Sequence, residues 1–173
     1  FMFRTDSDEK IEKLKNHLSI PLINGLSPSS HPTQVLSDVF TVEEIKKKPI
    51  SKLNIAWIGD SNNVLNSLIA ASVKFNFKLS IGCPISFSPE KFVLDWVKEN
   101  NKKIYIYNDA KKAIADADVV FSAVTADQAA AVVRSASEIL KPNTYFLDLN
   151  SCAPSTKIKS ADIMRERMVR YID

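Results

Sequence analysis

The sequence predicts an α/β protein: a doubly wound, Rossmann-like parallel sheet of about six strands, preceded by a β-α-β-α extension. Three observations carry this. Short apolar runs alternate with helix-period stretches almost throughout. The apolar runs are nearly continuous, as in strands buried on both faces. The 3 glycines, Gly25, Gly59 and Gly82, all fall at or just after predicted strand ends. Residues 1–50 form the extension and 51–173 the Rossmann-like domain.

In chain order, Phe1–Arg4 is a short apolar run. Ser7–Leu18 carries Ile11, Leu14 and Leu18 at helical spacing, with Asp8 and Glu9 where acidic groups favour a helix N-terminus. Ile20–Ile23 is strand-like, and Asn24-Gly25 is expected to break it. Ser29–Lys48 presents Val35, Leu36, Val39, Phe40, Val42 and Ile45 as a helical face, which Pro49 ends because the residue before proline avoids helical geometry.

The regular series then begins. Strands are expected at Leu53–Ile58, Lys78–Ile81, Lys103–Tyr107, Val119–Ala123, Tyr145–Leu149 and Met168–Ile172. Helices are expected near Asn63–Lys74, Pro89–Asn100, Asp109–Ala115, Ala126–Leu140 and Thr156–Arg167. Strands separated by helices in this way are parallel βα units.

Composition narrows the function classes. The net charge of +3 is spread along the chain, and Lys46–Lys48 is the one lysine triplet. A basic stripe with interleaved aromatics is absent, so no nucleic acid is expected as a partner. No apolar run reaches the ~18–20 residues of a membrane helix, and the start shows no signal-peptide pattern. Cys83 and Cys152 are far apart and only 2 histidines exist. No metal site or disulfide framework is expected, and a reducing cytoplasmic setting is. Both cysteines read as inert, since no histidine lies near in sequence to act as base.

Two polar clusters stand out. His31 follows Ser29 and Ser30 at a helix edge, with Gln34 one turn along. Unpaired amides and the helix dipole make such an edge favourable for an anion. The alternative is a plain helix start, with Ser29 or Ser30 as cap and Pro32 in the first turn; on these residues alone that alternative is favoured. The second cluster, Gly59-Asp60-Ser61-Asn62-Asn63, stands where a parallel strand hands over to a helix. Asparagine offers both donor and acceptor to an amino acid's charged groups. Equally, Asp60 or Ser61 is a helix cap. The turn lacks the glycines a dinucleotide's pyrophosphate needs, so no cofactor is expected and NAD(P) is disfavoured.

Taken together, His-Pro-x-Gln (31–34), a helix and Trp-Ile-Gly-Asp-x-Asn-Asn (57–63) resemble ornithine carbamoyltransferase, over about residues 1–115. The likeness includes Ile20-Pro-Leu-Ile-Asn-Gly-Leu26. It implies that Arg4, His31 and Gln34 contact carbamoyl phosphate and that Asn63 contacts ornithine. It makes residues 1–50 the end of a carbamoyl-phosphate domain with its interdomain helix. The family's Ser-Thr-Arg-Thr, Asp-x-x-x-Ser-Met-Gly and His-Cys-Leu-Pro motifs are not in the chain.

From near residue 116 the sequence is similar instead to the 6-phosphogluconate and 3-hydroxyisobutyrate dehydrogenase superfamily, in Asp116–Ala126 and Leu147–Lys157. That resemblance implies that Ser122, Thr125 and Asn150 lie beside a nicotinamide cofactor, although a helix cap explains the last region more simply. A chain with two resemblances is expected to be an engineered or recombined chimera. Such a chain is non-catalytic and at most a weak binder of a small anion or amino acid. The alternatives are carbamoyl transfer to ornithine and an NAD(P)-dependent oxidoreductase fragment. An exposed apolar helix face on the extension also invites a homodimer by exchange.

Overall fold

Trp57 and Ile55 project to one side of a central strand, Ala56 and Ile58 to the other, and all four are buried. A strand buried on both faces must be covered by two helical layers. A computed structural model, describing residues 1–100 and 103–173, has that architecture.

The extension comprises β1 (Met2–Arg4), α1 (Asp8–Lys15), β2 (Ile23–Leu26) and α2 (Pro32–Lys46). The main body comprises β3 (Asn54–Gly59), α3 (Asn63–Lys74), β4 (Lys78–Gly82), α4 (Lys91–Asn100), β5 (Ile104–Tyr107) and α5 (Ala110–Ile114). It continues with β6 (Val119–Ala123), α6 (Ala126–Ser137), β7 (Tyr145–Asp148), α7 (Pro154–Glu166) and β8 (Arg170–Ile172). A 6-stranded parallel sheet runs β5-β4-β3-β6-β7-β8. The chain builds outward from β3 to β5, returns to the other side of β3, and builds outward again. The doubly wound expectation is met, and the reversal between β3 and β6 is the switch point where such sheets open a ligand crevice.

On one face Trp57, Leu65, Leu68, Phe77 and Phe121 pack with Val35, Val39 and Val42 of α2. On the other, Ile58, Val120, Val133, Phe146 and Met164 pack beneath α5, α6 and α7. The helix of the extension is therefore part of the core. Helix α1 buries no residue, and ion pairs at i,i+3 and i,i+4 run along its surface.

One strand lies later than expected. Ile20–Ile23 is not the second strand, and Asn24-Gly25 does not break it but lies inside β2. The Ile23 amide donates to the Phe1 carbonyl and the Thr5 amide to the Leu26 carbonyl, which fixes β2 beside β1. A Cβ at Gly25 would meet Met2 Cγ at 3.1 Å and the Phe3 carbonyl oxygen at 3.3 Å, so glycine permits the close pairing. Helix α2 begins at Pro32 and α7 at Pro154, each with proline in the first turn. Helix α2 ends with Lys47 left-handed at φ 51°, two residues before Pro49.

Candidate functional site

The elbow between β3 and α3 is set by Gly59. Its φ of +136° is a conformation L side chains rarely adopt, and an added Cβ would lie 1.9 Å from the Ala123 carbonyl oxygen. The chain can thus turn hard against β6. Asn62, neither Asp60 nor Ser61, caps α3: its side-chain oxygen accepts from the Val64 and Leu65 amides at 2.9 and 3.1 Å. Asn63 is left to reach outward, and its side-chain amide donates to the Ser27 carbonyl at 3.1 Å.

The facing segment, Ser27 to Gln34, is tied to the same helix. The His31 amide donates to Ser67 Oγ at 2.8 Å, while the Ser67 hydroxyl donates to the Asn63 carbonyl at 3.1 Å. Asn66 donates to the Ser29 carbonyl. Neither Ser29 nor Ser30 caps α2. Ser29 Oγ donates to Asp8, Ser30 Oγ accepts from Asn24, and His31 is the cap residue, with no side-chain bond to the helix. Its ring sits 3.4 Å from the Thr33 hydroxyl, which itself donates to the Gly25 carbonyl.

Burial, and then the positive charge of Arg4, lower the His31 pKa below the ordinary imidazole value. The ring is neutral near pH 7. Gln34 instead turns its amide to Asp38, 2.8 Å away. Asp38 is 8% exposed and its second oxygen has no partner, so burial raises its pKa to about 6 against the lowering effect of Gln34. His31 and Asn63 are thus joined through Ser67 at the junction of α2 and α3, Arg4 is near enough for its charge to act on the His31 ring, and Gln34 is committed to a neighbour on its own helix.

At the switch point, a cavity of about 440 Å³ opens at the C-terminal ends of β3, β4 and β6. Gly59, Asp60, Cys83, Phe87, Thr125 and Gln128 are among its walls. A second chamber of about 390 Å³ is bounded by Ser29, Ser61, Asn63, Asn66, Phe87 and Glu90, among others. No lysine, arginine or histidine is among the described residues lining either space. Cys83 is buried, and desolvation with the nearby Asp60 charge pushes its thiol up to about 12. It is no nucleophile at neutral pH.

Of the three residues the dehydrogenase resemblance singled out, Thr125 lines the larger cavity. Ser122 and Asn150 are buried in a polar network. Asn150 donates to Ser122 Oγ at 3.3 Å and to Asp148 at 2.5 Å, and it accepts the Val124 amide at 2.6 Å. Asp148 also accepts from the Tyr171 hydroxyl at 2.5 Å and lies 3.3 Å from the Lys157 ammonium, which reaches Asp173 at 2.6 Å. Burial pulls the Lys157 pKa down, but Asp173 and Asp148 outweigh it and the net shift is upward. Burial and then Asp148 raise the Tyr171 hydroxyl well above the ordinary phenol range.

Sequence reasoning missed Ser67, Phe87 and, in this network, Asp148, Lys157 and Tyr171. The one available signal was Asp148, a carboxylate set in an otherwise apolar strand. Among the described residues, no group of His, Cys, Asp and Glu is arranged to hold a metal, and no helix is long and apolar enough to cross a membrane.

Sequence comparison returns two matches to family models. The aspartate/ornithine carbamoyltransferase Asp/Orn binding domain matches residues 51–151, and the carbamoyl-P binding domain of the same enzymes matches residues 1–44. The ornithine carbamoyltransferase of Geobacter metallireducens is 42% identical over 120 residues, covering 69% of this chain and 39% of that protein. That of Agrobacterium fabrum is 37% identical over 119 residues, with 69% and 39% covered. The chain spans about two fifths of the length of these relatives. Among solved structures, anabolic ornithine carbamoyltransferase from Campylobacter jejuni superposes with a TM-score of 0.73 at 25% identity, covering 96% of this chain and 63% of that one.

These findings overturn the expectation of an engineered, non-catalytic chimera joined near residue 116. One family model runs across the supposed joint, and a single solved fold accounts for both sides of it. The dehydrogenase-like stretch is the second half of the same sheet.

Proposed function

The chain belongs to the aspartate/ornithine carbamoyltransferase family, and on that premise we propose that it serves transfer of a carbamoyl group from carbamoyl phosphate to the side-chain amine of ornithine. The observation that carries this reading is the short link from the His31 amide through Ser67 Oγ to the Asn63 carbonyl. It joins the segment matched to carbamoyl-phosphate binding to the one matched to the amino acid. Transfer between two substrates depends on holding them at fixed distance and angle, worth on the order of 7–11 kcal/mol when alignment is good.

In the reaction the acceptor nitrogen bonds to the carbamoyl carbon, the carbon–oxygen bond to phosphate breaks, and phosphate leaves with the electron pair. The amine gives up a proton to solvent or to the departing phosphate. Arg4 supplies positive charge for the phosphate, and a neutral His31 supplies one ring N–H to the carbamoyl oxygen. Asn63 orients the acceptor. An acceptor with a second carboxylate is disfavoured, because the described residues that line the two chambers include Asp60 in one and Glu90 in the other and no lysine, arginine or histidine. An amine-bearing side chain meets the opposite field.

The test is citrulline formation from carbamoyl phosphate and L-ornithine by the chain. Turnover lost in His31→Ala, with folding unchanged, supports the reading. No citrulline above background from the folded chain counts against it, as does equal turnover with aspartate.

A further inference from the structure

Phe87 lines both chambers at the switch point. It belongs to a single helical turn, Ile85–Phe87, in the strap between Cys83 and Pro89. Most of the strap's hydrogen bonds are its own: the Phe87 amide donates to the Pro84 carbonyl, and Ser88 donates its amide to Ile85 and its hydroxyl to Pro84. One bond reaches the elbow, from the Ser61 amide to the Phe87 carbonyl at 2.9 Å. No residue of the turn is buried; Phe87 is 54% exposed and Ile85 74%. The ends are fixed by contrast, since Cys83 and Pro89 are buried and the Cys83 amide donates to the Tyr107 carbonyl. A turn with firm flanks, exposed apolar side chains and, among the described residues, one outward bond is placed to swing as a unit.

We propose that Phe87 is the gate of the amino-acid cleft, and that it sets which ligands reach both chambers. Asp60 lines one chamber and Asn63 the other, and Phe87 is the one described residue common to both linings, so a ligand that touches both has to pass the strap that carries it. Displacing the strap also frees the Ser61 amide, which then presents a donor beside Asn63 for an α-carboxylate. The ligand class is therefore an α-amino acid with a cationic or neutral side chain long enough to span from Asn63 to Asp60. This rests on reading the cleft as the acceptor site. With the strap in place the competent state is a minor one, and apparent affinity is reduced by its population.

The experiment is amide hydrogen exchange at Ser61 in the intact chain, followed by NMR with and without L-ornithine, in the parent and in Phe87→Ala and Phe87→Leu. Ser61 is expected to exchange at least ~10-fold faster than Ile58 in β3, and faster again in Phe87→Ala, with Phe87→Leu between. The melting temperature and the exchange of β3 are expected to stay as in the parent. Ornithine should shift the Ser61 resonance and bind Phe87→Ala several-fold more tightly. Exchange at Ser61 as slow as at Ile58, and unmoved in both variants, makes the strap a fixed wall and overturns the gate. Gated exchange without any response to ornithine keeps the gate and overturns the acceptor assignment, so the two failures are distinct.

Discussion

The backbone amide of His31 is bonded to the side chain of Ser67, 36 positions along the chain, at 2.8 Å. Because the same hydroxyl closes onto the Asn63 carbonyl at 3.1 Å, it registers the start of α2 against the first turn of α3. Ser67 is itself buried, so water does not replace it readily.

Replacing Ser67 by alanine leaves the His31 amide without its partner. We expect a loss of about 1–2 kcal/mol in urea denaturation, with an unchanged denaturant slope. If the proposed function holds, citrulline formation should fall by more than the stability change explains, because the segments matched to the two domain models lose register. A variant as stable and as active as the parent removes the link from the site.

Burial, and after it the charge of Arg4, lower the His31 pKa and favour the neutral ring. In Arg4→Ala the His31 pKa is expected to rise, since one of the two lowering effects is gone. Titration of the imidazole resonances in the two proteins checks this. A fall, or no change, places the guanidinium too far away to act on the ring.

Asp38 holds its proton up to about pH 6 in the folded chain, against ~3.9 when unfolded. Between those values the native state binds more protons than the unfolded one, so stability falls as pH rises through this window. At pH 7 the ionised carboxylate costs on the order of 2–3 kcal/mol. Asp38→Asn should therefore raise the melting temperature at pH 7.5 and leave it nearly unchanged at pH 4. Equal shifts at both pH values would falsify the assignment of the effect to ionisation.

Gly59→Ala combines a forbidden backbone angle with a Cβ 1.9 Å from the Ala123 carbonyl oxygen. The cost is expected to exceed about 4 kcal/mol, the range of severe core lesions. Circular dichroism should show a partly unfolded chain at 37 °C. A folded variant with parent stability means that the elbow relaxes in a way the glycine geometry does not require.

Lys157→Met removes the ammonium from a carboxylate that is almost wholly inaccessible. Asp148 keeps the Tyr171 and Asn150 donors, yet the uncompensated charge should cost about 3–5 kcal/mol. The double variant Lys157→Met, Asp148→Asn is expected to recover most of that loss. If the double variant is as unstable as the single one, the damage lies in packing and not in charge.

The sheet was legible because its signal is local. Runs such as Ile55–Ile58 and Val119–Phe121 are apolar at every position, and the stretches between them carry helix period. The second strand was misplaced because Asn24-Gly25 has the composition of a turn; its strand geometry comes from pairing with residues 1–4, which no window around it contains. His31 and Asn63 were singled out by motif and Arg4 by its spacing to His31, but Ser67 was not, as a lone serine in a helix has no distinguishing neighbour. The apparent change of family near residue 116 falls where the chain crosses from β5 to β6. The two halves of a doubly wound sheet meet chiefly along the β3–β6 pairing, from Ile55↔Val119 to Gly59↔Ala123.

The same pairing bears on the order in which the molecule assembles. β3, β4 and β5 are neighbours both in sequence and in the sheet, so they can associate while the chain is still short. The inner flank of β3 stays unpaired until residues 119–123 arrive beside it. Until then Gly59 has nothing to turn against, and the cavity it shares with Val124 and Thr125 has only one wall. The ligand crevice is thus a late product of folding, sealed by the longest-range strand contact in the sheet. A nascent or nicked chain lacking β6 would expose the edge of its central strand, where another chain can pair with it.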